Sequence, residues 1–223
     1  MIALTLFRLA AFTRSHRVVR ALLPVAVLLA LFYGVRAPLG QEVAALTDTA
    51  VLLVPFLAWA ARSLLDTEPD EQRAICATAA GTPSREVAAG LLAALVVTSA
   101  FAALAVVWGL LLGVSEIPAP GQLTAAVALH ALSALAGTAL GALTSRPILP
   151  SPALSIMMLV LGFLAMLLVS LSPFAWLTVP LGGWMRAAAD GPLTAGLPGL
   201  AVPSLLWPLL GLAAYVRLRR ARP

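Results

Sequence analysis

The sequence predicts an all-α polytopic membrane protein, a single transmembrane domain over residues 1–223. The expected layout is six transmembrane helices with both termini cytoplasmic, an interfacial N-terminal helix, a charged cytoplasmic helix and short re-entrant helices on the outer side. Three observations carry this expectation. The 223 residues are 61% hydrophobic and 10% charged, whereas soluble domains run about 45–50% apolar and about 25% charged. The mean hydropathy of +1.02 implies more apolar surface than one soluble core could hide beneath a polar skin. Apolar runs of bilayer-crossing length, about 20 residues, recur six times. An ordinary soluble enzyme, a disordered chain and a nucleic-acid-binding domain are excluded on these grounds.

Residues 1–17 form a preface with apolar Ile2, Leu6, Leu9 and Phe12 and basic Arg8, Arg14 and Arg17. The three-to-four spacing gives one apolar face, as in a helix lying in the cytoplasmic interface; the same residues also serve as a basic flank holding the N-terminus inside. The six spans are Val18–Ala37, Thr47–Leu65, Arg85–Val114, Gln122–Thr144, Ala153–Leu171 and Leu197–Tyr215. Val35-Arg-Ala37 resembles a small-residue cleavage site, but Pro38 follows it and the apolar run exceeds a signal-peptide core, so the first run is read as a span. The third is long enough to tilt or to extend beyond the bilayer. Pro24, Pro55, Pro203 and Pro208 mark expected kinks. Ser133, Gly137 and Gly141 recur at intervals of four, as do Gly109 and Gly113, a spacing that lets helix backbones approach.

All 14 basic residues are arginine, and their placement orients the chain. With the N-terminus inside, the cytoplasmic segments hold Arg8, Arg14, Arg17, Arg20, Arg62, Arg73, Arg85, Arg146, Arg217, Arg219, Arg220 and Arg222, leaving only Arg36 and Arg186 outside. The tail Arg217–Arg222 then reads as a stop-transfer anchor in preference to a nucleic-acid patch. The nine carboxylates sit at span ends or between spans. His130 is the only ionisable side chain well inside a span, hence a candidate pathway or interhelix polar residue. The expected state is a neutral histidine bonded to a neighbouring helix. Cys76, the single cysteine, excludes an intrachain disulfide framework and reads as a small apolar filler.

Two connections are more than linkers. Asp66-Thr-Glu-Pro-Asp-Glu-Gln-Arg73 places four carboxylates at the start of a short helix. Thr67 can cap it, Pro69 suits its first turn and acidic groups suit a helix N-terminus. Ile75, Ala79 and Ala80 give a modest apolar face, Gly81 is the stop with Pro83 beyond it, and Thr82 or Ser84 caps the next helix. Arg62 and Asp66, four apart, can pair. Such a hairpin serves either as a solvated connector or as a docking surface for a cytoplasmic partner, and its charge density favours docking. On the other side, residues 172–196 are broken by Pro173, Pro180, Gly182, Gly183 and Pro192 and carry Trp176 and Trp184. Tryptophan favours the membrane boundary, so short helices in or on the outer leaflet are expected, the alternative being an ordinary loop.

Catalytic signatures are missing. There is no phosphate loop, and no lysine to complete one, no His-Glu-x-x-His zinc motif and no Gly-x-Ser-x-Gly elbow. Two histidines and one cysteine supply too few ligands for a metal site. The chain is therefore expected to be no enzyme, to hold no cofactor of its own and to bind no nucleic acid.

Glu68-Pro-Asp-Glu-Gln-Arg73 followed by Gly81-Thr-Pro-Ser-Arg85, with the span topology around it, resembles the permease subunit of ABC-2 type (type V) exporters. The resemblance implies a permease in the cell membrane of a bacterium. It would pair with a second permease copy, or a sibling permease, and with two copies of a separate ABC ATPase that hold the ATP and magnesium. The coupling role would fall on Asp66, Glu68, Asp70, Glu71, Arg73 and Arg85, and an outer gate on Trp176, Trp184 and Arg186. A small integral membrane assembly protein docking a non-ATPase partner is the alternative, and a membrane-embedded enzyme using His130 a more distant one.

Overall fold

The computed structural model describes residues 1–79, 81–191 and 193–221. Ala80, Pro192, Arg222 and Pro223, and the side chains of Asp70 and Ala74, lie outside the described residues. The described residues are helical with no strand. Helix α1 (Ile2–Arg14) bends by 73° at Ser15 into α2 (His16–Phe32). Then follow α3 (Glu42–Leu65), α4 (Asp70–Ala79) and α5 (Pro83–Trp108), which runs on into a π-helical turn (Gly109–Gly113). The remaining elements are α6 (Pro120–Leu143), α7 (Pro152–Leu171), a 3-10 turn (Ala175–Leu177), α8 (Leu181–Ala189) and α9 (Leu193–Ala221).

Among the described residues five helices are long and apolar enough to cross a membrane: α3, α5 with its π turn, α6, α7 and α9. The bent pair α1–α2 makes a sixth if counted as one span. The expected first span is thus shorter than its apolar run: α2 stops at Phe32, and residues 33–41 form turns and irregular backbone before α3. Elsewhere the helices outrun their apolar runs. α3 begins at Glu42, so Asp48 lies two turns inside it, and α5 begins at Pro83.

Local chemistry sets these boundaries. Pro83, Pro120 and Pro152 each occupy the first turn of a helix, where a missing N–H costs nothing. Of the two expected caps for α5, Thr82 is used, its hydroxyl accepting from the Arg85 N–H at 3.3 Å. Ser151 does the same for α7, from Leu154 at 3.4 Å. After α4 the chain reverses through Gly81 at φ +78°, a left-handed conformation that a side chain would strain.

α3 and α6 form the centre of the bundle and α7 and α9 its flank. The most apolar window of α6 is 67% buried, those of α7 and α9 only 17%. The α3–α6 seam is built by small residues. A Cβ at Gly137 would approach Leu57 and the Val54 carbonyl, and one at Gly141 would strike the Ala58 carbonyl and the Ala61 side chain. Ser133 donates across the seam to the Ala50 carbonyl at 2.7 Å, and Thr98 of α5 bonds Thr138 of α6 at 2.8 Å. Gly109 and Gly113, by contrast, receive the Tyr33 ring and not a neighbouring backbone. Backbone continuity there comes from the Ala37 N–H donating to the Gly113 carbonyl at 2.8 Å.

Candidate functional site

The charged residues gather at the two ends of the bundle. At one end lie the start of α1, the end of α3, the α4 hairpin, the start of α5, the α6–α7 connection and the end of α9. Two carboxylate-centred nodes hold them together. In the first, Arg8 of α1 donates from Nε to Glu68 Oε1 at 3.0 Å and pairs through Nη2 with both Glu68 and Glu86. Its Nη1 donates to the Glu86 carbonyl at 2.9 Å. Arg219 of α9 reaches Glu86 Oε2 at 3.1 Å, and Arg73 of α4 donates to the Glu68 carbonyl at 3.0 Å. Arg8, Glu68, Arg73 and Glu86 are all under 9% exposed. Burial opposes the Arg8 charge, but the hydrogen bonds and ion pairs with Glu68 and Glu86 outweigh it and raise its pKa.

Close approach makes this geometry possible. A Cβ at Gly90 would collide with the Arg8 guanidinium, so the absence of a side chain there gives Arg8 its seat on α5. Beside it, Leu64, Tyr215, Pro147 and the charged groups enclose a cavity of about 10 Å³, room for a single water.

The second node is Asp66. Its carboxylate accepts from the Arg146 N–H at 2.7 Å and lies 3.5 Å from Arg62 Nε, the pair four residues apart that the spacing predicts. Arg17 of α2 donates to the Asp66 carbonyl at 2.6 Å. Arg62 also lies over the Trp59 ring, 5.6 Å from its centre.

The six residues expected on the hairpin therefore divide. Asp66, Glu68 and Arg73 face inward, tied to the rest of the bundle, while Glu71 and Arg85 are exposed. Ile75, 67% exposed, stands with them on the outward side. The side chain of Asp70 lies outside the described residues. Sequence reasoning missed Arg8, Glu86 and Arg219 as partners. Only the register of Thr5, Arg8 and Phe12, one buried helix face, hinted that Arg8 points inward.

The three residues expected at an outer gate also separate. Trp184, in α8, is fully buried against α3 residues Ala50, Val51 and Val54, and its Nε1 donates to Ser204 of α9 at 3.0 Å. Trp176 is 67% exposed, its carbonyl accepting from Trp207 Nε1 at 2.9 Å, and Arg186 is exposed. His130 is 2% exposed. Its bond runs to its own helix, with Nδ1 at 2.9 Å from the Ala126 carbonyl, and not to a neighbouring one, and Nε2 has no partner among the described residues.

Among the described residues no group of three or more His, Cys, Asp or Glu side chains is placed to hold a metal ion. The nodes pair carboxylates with guanidiniums, which neutralise them, so the arrangement is suited to mechanical connection. No family model matches the sequence, and no curated protein or solved structure shows significant similarity to it.

Proposed function

We propose that this chain is the membrane-spanning permease subunit of an ATP-driven exporter of the ABC-2 type, multi-pass in the cell membrane. The observation that carries the reading is the two-sided α4 hairpin. Its inner face is tied to α1 by the buried Arg8–Glu68 pair, and through Arg8 to Glu86 of α5 and its partner Arg219 of α9, and its outer face presents Glu71, Ile75 and Arg85. A partner pressing on such a hairpin cannot move it alone. Displacement would break buried pairs, at about 3–5 kcal/mol each, unless the attached helices move with it.

Coupling then proceeds as follows. A cytoplasmic ATPase, carrying ATP and magnesium, docks on Glu71 and Arg85; Asp66, Glu68 and Arg73 pass its movement into the bundle. α9 joins both ends, since Arg219 sits in the ion node and Ser204 holds Trp184 at the opposite end. The segment carrying Trp176, Trp184 and Arg186 closes the path on the outside. A second permease copy completes the path, and this chain contributes no covalent chemistry. The positive-inside bias places the arginine-rich end, with both termini, in the cytoplasm. On this reading α1, bent by 73° from α2 and with Ile2, Leu6 and Phe7 exposed, lies along the interface.

The test is purification of the tagged chain, expressed with its chromosomal neighbours, followed by an ATPase assay. A co-purifying nucleotide-hydrolysing subunit is expected, and Glu71→Arg with Arg85→Glu should release it while the chain still inserts. Reversing Glu68 would be uninformative, because it unpairs Arg8 and tests the fold. A partner lacking ATPase activity would overturn the exporter reading in favour of an assembly role.

A further inference from the structure

At the end of the bundle opposite the ion nodes, a cleft of about 320 Å³ is lined by Phe32, Tyr33, Arg36, Gln41, Ala45 and Asp48, among others. That volume is at the lower end of small-molecule sites, about 300–1,000 Å³. Two opposite charges face this one space without pairing. Among the described residues neither Arg36 nor Asp48 has an ion pair or a side-chain hydrogen bond, whereas Glu42 and Glu86, the other carboxylates within the long apolar helices, have theirs. Asp48 is half-buried and lies six residues into α3 from Glu42, about 9 Å along the axis at 1.5 Å per residue. A carboxylate at that depth in an apolar helix is costly to keep without a counter-charge.

We propose that this cleft binds a zwitterion of the phosphoethanolamine class, an ammonium and a phosphate on a short spacer. The ammonium is taken by Asp48, flanked by the edge-to-face pair Phe32–Tyr33, with ring centres 5.3 Å apart, since aromatic rings favour cations. The phosphate is taken by Arg36, whose guanidinium suits phosphate geometry, with the Gln41 amide beside it. The two charges line one cleft without pairing with each other, so one ligand carrying both signs can meet both. Exposed Val35 lines the cleft and would meet the acyl chains of a phosphatidylethanolamine lipid; the same headgroup chemistry also exists free in solution. This inference does not depend on the exporter reading and holds for any function of the chain.

The experiment is calorimetric titration of the full chain in detergent micelles with three probes: short-chain phosphatidylethanolamine, short-chain phosphatidylglycerol and glycerophosphoethanolamine. Phosphatidylethanolamine should bind at least about tenfold more tightly than phosphatidylglycerol, as expected for one charge-assisted hydrogen bond. Asp48→Asn should abolish that preference, and Arg36→Gln should weaken both lipids. Competition by glycerophosphoethanolamine identifies a soluble zwitterion as the natural source; failure to compete identifies a membrane lipid. Equal affinity of the wild type for the two lipids, or an undiminished preference in Asp48→Asn, overturns the proposal. Should Asp48→Asn not fold, Arg36→Gln at its exposed position decides, and unchanged lipid affinity there overturns it equally.

Discussion

Around Arg8 the physics turns on desolvation. One guanidinium satisfies two buried carboxylates and a carbonyl, so removing it strands Glu68 and leaves Glu86 with Arg219 alone. Arg8→Gln should cost about 3–5 kcal/mol, read as thermal unfolding in detergent. Arg219→Gln should cost about 1 kcal/mol, because Glu86 keeps Arg8 as its partner. Equal losses would show that Arg8 is not the hub. Asp66 behaves oppositely. Burial, the largest influence, pushes its carboxyl above the ordinary range, against the pull of the Arg146 N–H and of Arg62, Arg73 and Arg17. Folding therefore favours its protonated form relative to the unfolded chain. The stability this group contributes is fully present below its unfolded pKa, about 4, and is lost as pH rises through the higher folded value. Asp66→Asn keeps an acceptor for the Arg146 N–H without the charge. Its unfolding temperature should gain on that of the wild type as the pH is raised from about 4 to 7. A variant that loses ground to the wild type over the same pH range refutes this account.

At the scale of elements, two tryptophans of similar sequence context have different roles. Trp184→Ala removes a fully buried ring and its bond to Ser204, and should cost about 3–5 kcal/mol. Trp176→Ala should fall within about 0.5 kcal/mol of the wild type, because its ring is exposed and Trp207 is held by the backbone carbonyl. Similar melting shifts for the two variants would deny α8 its place in the core. The elements themselves were largely legible. Apolar run length, Gly81 at a stop and Thr82 as a cap are all local signals, and the structure places helices where they point. Ser133, Gly137 and Gly141 were legible too, since small residues four apart mark one close seam. What the sequence could not reveal was partnership across the chain. Arg8 meets Glu68 and Glu86 over separations of 60 and 78 residues, and no periodicity encodes which distant carboxylate a buried arginine will choose. Glu68 and Glu71 look alike in the sequence, yet Glu68, in the turn before α4, faces inward and Glu71, in its first turn, outward. Asp48 was read as a span-end charge because the apolar run begins at Thr47, whereas the helix begins at Glu42.

For the whole molecule, the separation of arginine between its ends is the property from which an orientation is expected. The end with the α4 hairpin gathers Arg8, Arg17, Arg62, Arg73, Arg85, Arg146 and Arg219, and the opposite end holds Arg36 and Arg186. Retaining arginine on the cytoplasmic side is a bias of insertion, not of folding, so orientation is testable apart from stability. In a Cys76→Ala background, Glu116→Cys, on the turn between α5 and α6, should react with an impermeant maleimide in intact cells. Ile75→Cys, equally well exposed on α4, should react only after permeabilisation. The reverse pattern would put the ion nodes outside, leaving the hairpin nothing cytoplasmic to dock and removing the exporter reading with it. Labelling at both sites in intact cells would put them on the same side of the membrane, with an even number of crossings between them. Since α5 alone connects the two positions, that result would deny α5, 31 residues with its π turn, a full crossing. The two cysteines thus examine orientation and the longest span together, and only opposite accessibility in the stated sense is compatible with an α4 hairpin facing the cytoplasm.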